Sequence, residues 1–133
     1  MRGWAALLVL TLAASTPAQA HHSLIGYDQA KVVRLTGVVF GFHFTQPHPF
    51  LIIESQEPGA TGRWRLEMDN LHELTDIGLS RDSFKRGEKV LVSGNPDRHG
   101  AREMYLRRLD RPSDNLRYEQ VGFRPSVGVI PKP

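Results

Sequence analysis

The chain has 133 residues, a formal net charge of +3 and no cysteine. The absence of cysteine excludes a disulfide framework, a lipoprotein anchor and a thiolate metal site, so stability has to come from an ordinary packed core. A charge this small does not favour binding to nucleic acid, for which a strongly basic domain is expected.

The first 20 residues have the pattern of a cleaved secretory signal. Arg2 precedes an apolar run from Trp4 to Ala14, and Ala18 and Ala20 have the spacing that a signal peptidase recognises. The run is shorter than the roughly 20 apolar residues that a membrane span requires, and no later stretch approaches that length. We therefore expect residues 1–20 to be removed from an exported protein, periplasmic or secreted, with no membrane span.

The first predicted strand runs from Lys31 to Phe44 and alternates with period two in its second half. The alternation predicts an inward face of Val38, Phe40, Phe42 and Phe44 and an outward face of Val39, Gly41 and His43. Gly37 and Gly41 lie where a long strand of a small barrel bends. The segment Gln46-Pro47-His48-Pro49 predicts a corner, because neither proline can donate a hydrogen bond to a neighbouring strand.

The next segments predict two strands that form a hairpin, a short helix and two further strands. The hairpin strands are Phe50–Glu54 and Arg63–Asp69, the helix starts at an Asp69 or Asn70 cap and ends at Gly78, and the last strands lie near 89–93 and 102–109. An all-β fold with this order is typical of a five-stranded OB-type barrel with one helix between strands 3 and 4. A different small barrel or an open sandwich also fits the pattern.

The predicted elements divide the chain into a signal peptide over 1–20, a histidine-bearing segment over 21–30, an OB-like barrel over 31–111 and a tail over 112–133. The tail is rich in proline and has few periodic apolar residues, so we expect it to be extended, either disordered or laid across the barrel. Five arginines cluster near the end of the barrel, and we expect them to form a solvated face rather than a ligand site. They are Arg98, Arg102, Arg107, Arg108 and Arg111.

The chain resembles domain-of-unknown-function family 6152, a family of small exported bacterial proteins. The resemblance rests on His21-His22-Ser23, the Tyr27-Asp28 step, Gly37 with Phe42, the Pro47-His48 corner, the Trp64-Arg65-Leu66-Glu67 strand and the Leu79 to Val90 stretch with its Gly87-Glu88 turn. It covers roughly Ala20 to Leu109, with Gln46 where the family usually has asparagine. The resemblance implies an exported protein and implies no activity.

The predicted mature start is the strongest candidate for a metal site. Cleavage after Ala20 would give His21 a free amine and an imidazole that chelate one metal ion together, and a further imidazole would complete a three-nitrogen set suited to copper(II). His48 is the preferred partner, because its Pro-His-Pro corner restricts its backbone. His22 is the alternative partner. Both terminal histidines also fit a frayed chain end, and His48 also fits a corner held by a hydrogen bond to a backbone carbonyl.

The remaining candidate side chains have structural explanations. His43 is expected beside Arg65 or Glu67 on the outward face, His72 can pair with Asp76 one helical turn away, and His99 lies at a solvated hairpin tip. Glu67 fits a salt bridge with a neighbouring arginine better than a role behind a metal-bound histidine. Trp64 is expected to pack in the core.

Two functions from different classes follow from the sequence. The first is a periplasmic copper-binding protein for storage, delivery or resistance, with His21 and His48 as principal ligands. The alternative is a metal-free OB-type module whose barrel face holds a peptide, a glycan or a partner protein. No serine elbow, phosphate loop or paired carboxylates at a meaningful spacing occur, so the sequence favours a protein that is not an enzyme.

Overall fold

The computed structural model describes residues 24–122 and 124–133, which form seven strands and one helix. The elements in chain order are β1 (Val33–His43), β2 (Phe50–Ser55), β3 (Gly62–Glu67), α1 (Leu71–Asp76), β4 (Lys89–Pro96), β5 (Glu103–Arg111), β6 (Leu116–Gln120) and β7 (Pro125–Val129). Within these residues, no helix has the length and apolar character needed to cross a membrane.

The first five strands close into a barrel. Their sheet order is β3-β2-β1-β4-β5, and a parallel pairing of β3 with β5 joins the two ends, with Leu66 opposite Met104. Closure leaves no open edge among these five strands, which protects their backbone groups from pairing with another chain. The predicted all-β barrel with one helix between strands 3 and 4 is confirmed.

The predicted faces of β1 are wrong in the middle of the strand and right at its end. Val39 is buried and Val38 is exposed, whereas Phe42 and Phe44 pack against the core as expected. The reason is a β-bulge: the register with β2 shifts between Val39 and Gly41, which adds one residue and reverses the alternation. Phe40, the residue at this irregularity, therefore lies on the outer face of the barrel.

The short helix closes one end of the barrel and has the predicted caps. The side chain of Asn70 accepts a hydrogen bond of 3.0 Å from the backbone N–H of Glu73 at the helix start. Leu74 is fully buried in the barrel core, and Gly78 follows with a φ of +88°, a conformation that suits glycine at a helix end. The core that the helix covers is built from aliphatic side chains of all five barrel strands.

Residues 112–133, expected to be an extended tail, contain two further strands. β6 pairs with β5, and β7 pairs with β6, so the chain continues the sheet past the barrel. Tyr118 of β6 is completely buried in the core cluster. The prolines that suggested an irregular tail flank β7 instead of interrupting it, because Pro125 is its first residue and Pro131 lies beyond its end.

The prediction that the five clustered arginines form a solvated face is wrong for two of them. Arg111 is only 8% exposed and binds Glu88 and Asp114 through charged contacts of 2.8 Å. Arg107 is half-buried and donates to the side-chain oxygen of Asn95 at 2.7 Å. Sequence position alone did not reveal these partners, since they come from other strands and turns.

Candidate functional site

The corner between β1 and β2 holds the histidine that the sequence singled out. Gln46-Pro47 is a cis peptide bond, and the following Pro49 is buried, with its carbonyl accepting a 2.9 Å hydrogen bond from the backbone of Met68. His48 is half-buried between these fixed points. The corner is therefore anchored to the residue that follows β3.

One nitrogen of His48 is buried without a partner. Its Nδ1 atom is inaccessible to solvent and has no hydrogen bond to any residue that the structure describes. Burying a polar atom in this way costs about 1–3 kcal/mol, and such atoms are uncommon in native proteins. The expected alternative, in which this imidazole holds its corner through a backbone carbonyl, finds no support at Nδ1 within residues 24–122 and 124–133.

The segment before β1 is fastened to the barrel by backbone hydrogen bonds. Tyr27 forms an isolated β-bridge with Asp97, and the N–H of Asp28 donates to the carbonyl of Pro96 at 2.8 Å. Arg98 adds a backbone and a side-chain hydrogen bond of 2.9 Å each to this segment. His21 and His22 lie outside the described residues, so their predicted role as ligands stays a prediction.

Tyr27 also connects this segment to the strand beside the histidine corner. Its hydroxyl donates to Glu67 at 2.8 Å, and Arg65 contacts the same carboxylate oxygen at 3.3 Å. Burial and the hydrogen bond to Glu67 raise the pKa of Tyr27 above its ordinary value, so the phenol stays protonated. Glu67 lies directly opposite Phe50 in the β2–β3 register, and Phe50 is two residues after His48.

Glu67 accepts hydrogen bonds from two side chains. One is Arg65, as the sequence favoured, and the other is Tyr27, for which the sequence predicted no structural role. The pairing of a tyrosine before β1 with a carboxylate in β3 spans 40 residues. No local sequence pattern encodes a contact of that separation.

The three other histidines in the described segments have the surroundings of surface residues. His43 is exposed and stacks on Phe50, with ring centroids 4.4 Å apart, rather than contacting Arg65 or Glu67 through hydrogen bonds. His72 lies 3.5 Å from Asp76, which confirms the predicted surface pair. His99 is exposed in the turn before β5, as expected. None of them completes a metal site with His48.

Among residues 24–122 and 124–133, no group of three or more His, Asp or Glu side chains is arranged to hold a metal ion. A set of three such side chains that includes His48 would therefore need residues outside the described segments.

Trp64 packs against the core, as predicted, and its indole nitrogen donates a hydrogen bond of 2.9 Å to the carbonyl of Ala60.

The chain has a match among known protein families. Residues 9–105 match a family of unknown function, DUF6152. The chain belongs to this family. The matched region contains the histidine corner, the Tyr27 segment and the barrel as far as the first part of β5, whereas β6 and β7 lie beyond it. No curated protein and no solved structure matches the chain.

A second cluster, which the sequence did not predict, lies on the outer face of the barrel. Phe40, expected in the core, lies between the guanidinium groups of Arg63 and Arg86. The β-bulge that turns Phe40 outward depends on how β1 pairs with β2, and the glycines at positions 37 and 41 were its only signal in the sequence.

Proposed function

We propose that this protein is exported to the periplasm and binds copper(II) through its processed amino terminus. In this proposal His21 supplies its free amine and its imidazole, and His48 supplies a third nitrogen, with His22 as the alternative third donor. The observation that carries the proposal is the buried Nδ1 atom of His48, which has no hydrogen-bond partner in the described residues.

The chemistry of that atom suits a ligand. A neutral imidazole nitrogen is a preferred donor for copper, and a metal ion would give the Nδ1 atom the partner that no described residue provides. The corner that carries His48 is anchored through Pro49 and Met68, so the imidazole needs little reorganisation to bind. Reduced reorganisation favours affinity because less conformational entropy is lost on binding.

The anchoring of Tyr27 supports the same arrangement. Its hydroxyl binds Glu67, which lies opposite Phe50 and therefore close to the strand that follows His48. His21 precedes Tyr27 by six residues, and a chain of that length reaches up to about 20 Å when extended. The predicted amino terminus consequently has enough chain to meet the histidine corner.

The decisive experiment measures copper(II) affinity against a competing chelator. The protein beginning at a free His21 is compared with the same protein acetylated at its amino terminus, with His48→Ala and with His22→Ala. His99→Ala serves as the matched control, because His99 is an exposed histidine away from the corner. We expect acetylation and His48→Ala each to weaken binding by at least about 100-fold, since each removes a nitrogen donor.

The pattern of losses separates the possible outcomes. Loss in His22→Ala in place of His48→Ala would contradict the role of His48 while retaining the amino-terminal site. Equal and weak binding in all five proteins would contradict the copper proposal as a whole. The metal-free binding module would then be the function to pursue.

A further inference from the structure

The last strand of the sheet, β7, has an open edge. Among the described residues it pairs with β6 alone, and the sheet order places no strand on its other side. Residues 126–129 of this strand are all exposed. An open edge presents backbone N–H and C=O groups that can pair with a further strand.

The register between β6 and β7 identifies the backbone groups that lie on this edge. The N–H of Ile130 donates to the carbonyl of Asn115 at 3.0 Å, so these two residues form a hydrogen-bonded pair. Hydrogen-bonded and non-hydrogen-bonded pairs alternate along an antiparallel ladder, so Val127 and Val129 form non-hydrogen-bonded pairs with β6. The N–H and C=O groups of these two valines therefore point away from β6, toward the open side.

Two prolines border the same edge. Pro125 begins β7, and Pro131 lies just beyond its end, each two residues from an outward-facing valine. Because proline has no N–H group, the donors of the edge between them are those of the two valines. No residue from 125 to 131 is charged, although charged side chains are a common protection of open edges against pairing.

The edge is complementary to a second copy of itself. Around Gly128 the sequence has a valine on each side and a proline three residues away in each direction. When two copies of β7 run antiparallel with Gly128 facing Gly128, each Val127 lies opposite Val129 of the other copy, and every valine N–H donates to a valine carbonyl. In a register centred on either valine, a proline faces a valine instead, and that valine carbonyl has no donor.

We propose that two copies of this chain associate through β7, antiparallel about a two-fold axis at Gly128. The pairing joins the two sheets and covers the open edge of each copy. It also forms two cross-strand pairs of valines, which are favourable neighbours in a sheet. The interface is small, so the dimer is weak and dissociates at micromolar concentrations. It involves neither His48 nor copper.

Sedimentation equilibrium of the protein that begins at His21 measures the association, with a metal chelator present and protein from about 1 μM to about 1 mM. We expect a reversible equilibrium between monomer and dimer. Val127→Pro should weaken the dimer at least about tenfold, because it removes outward N–H groups while the ladder with β6 stays intact. Val127→Lys should have a similar effect, since it adds two charges to the interface. Val121→Lys is the matched control, because Val121 is an exposed valine outside β7, and it should associate like the wild type.

Single cysteines test the register, because the chain has no cysteine of its own. In Gly128→Cys the two cysteines face each other in a non-hydrogen-bonded pair, with Cα atoms about 4.5 Å apart, and a disulfide can form. A side chain fits there, since a Cβ added to Gly128 meets no described atom within 4 Å beyond its chain neighbours. Ser126→Cys is the matched control, because its two copies would lie about 14 Å apart, beyond the reach of a disulfide. Mild oxidation should therefore give covalent dimers from Gly128→Cys and none from Ser126→Cys.

Hydrogen exchange of the two valine amides distinguishes a second copy from another occupant of the edge. We expect the N–H groups of Val127 and Val129 to be protected at high protein concentration and to exchange freely at low concentration. Protection at every concentration would mean that another segment of the same chain covers β7, which would overturn the proposal. A monomer over the whole concentration range, a dimer unchanged in both Val127 variants, or disulfide formation that does not favour Gly128→Cys would overturn it as well.

Discussion

Arg111 and His48 are polar side chains that are buried and half-buried, respectively, and they differ in whether their polar atoms have hydrogen-bond partners. Arg111 donates to Glu88, to both oxygens of Asp114 and to the carbonyl of Ser83. His48 buries a nitrogen that has no partner among the described residues. Buried polar groups that are fully paired fix a fold, whereas an unpaired one costs stability and suggests a binding role.

The contrast also separates two regions of the molecule. The contacts of Arg111 tie the β5–β6 turn to the loop before β4, and its guanidinium lies 5.3 Å from the ring of Phe84 in the core. These contacts explain how the chain beyond the barrel is joined to it. Tyr27, in the segment that leads back to the predicted amino terminus, is linked instead to Glu67, which lies opposite Phe50 in the strand that follows the His48 corner.

The largest expected effect concerns Arg111, the side chain with several hydrogen-bond partners. Arg111→Met removes a buried cation and leaves Glu88 and Asp114 without it, and we expect a loss of roughly 2–3 kcal/mol in the free energy of unfolding. Urea denaturation at neutral pH measures it. The control Arg108→Ala removes an exposed salt bridge to Glu119 and should cost less than about 1 kcal/mol. Equal losses in the two variants would contradict a structural role for Arg111.

The second prediction concerns His48, whose Nδ1 atom has no partner among the described residues. His48→Phe removes the buried Nδ1 atom while keeping a planar ring, so in the presence of a metal chelator the unfolding free energy should stay level or rise by about 1 kcal/mol. His48→Leu, with a smaller side chain, guards against overpacking by phenylalanine. His99→Phe is the exposed control and should change little. A loss above about 1 kcal/mol in both His48 variants would mean that Nδ1 has a stabilising partner.

The smallest effect concerns pH. The hydrogen bonds from Arg111 hold the pKa of the Asp114 carboxyl below its ordinary value. As pH falls, the Asp114 carboxyl is therefore protonated in the unfolded chain before it is protonated in the folded protein. The stabilisation that this carboxylate contributes is present above about pH 4 and lost below it. The wild type should lose more stability than Arg111→Met when urea midpoints at about pH 5 and about pH 3 are compared. Equal losses would show that the ion pair of Arg111 and Asp114 contributes nothing to the loss of stability at acid pH.

Much of the fold was predictable because its signals are local. A short apolar run marks β2, alternating apolar residues mark β3 and the end of β1, and the Asn70 cap and Gly78 delimit the helix. The order of these elements led to the barrel with a helix between strands 3 and 4. Two strands after residue 111 were missed, because prolines at their borders resembled those of an irregular segment.

The candidate site was predictable only in part. The sequence drew attention to His48 through its proline neighbours, but it could not show that Nδ1 lacks a partner, which depends on the packing of the corner against Met68 and the strand before it. The contact between Tyr27 and Glu67 was likewise invisible, because 40 residues separate them. The copper proposal still rests on His21 and His22, which lie outside the described residues.

The sequence by itself determined the all-β class, the positions of five strands and the helix, and the candidate histidines. These features depend on backbone preferences and on periodicities that extend over a few neighbouring residues. Only the tertiary structure decided that Phe40 faces outward between Arg63 and Arg86 and that Arg111 is buried. The reason is physical: a bulge is fixed by the register with a neighbouring strand, and a buried cation is stable only where distant carboxylates and carbonyls converge on it.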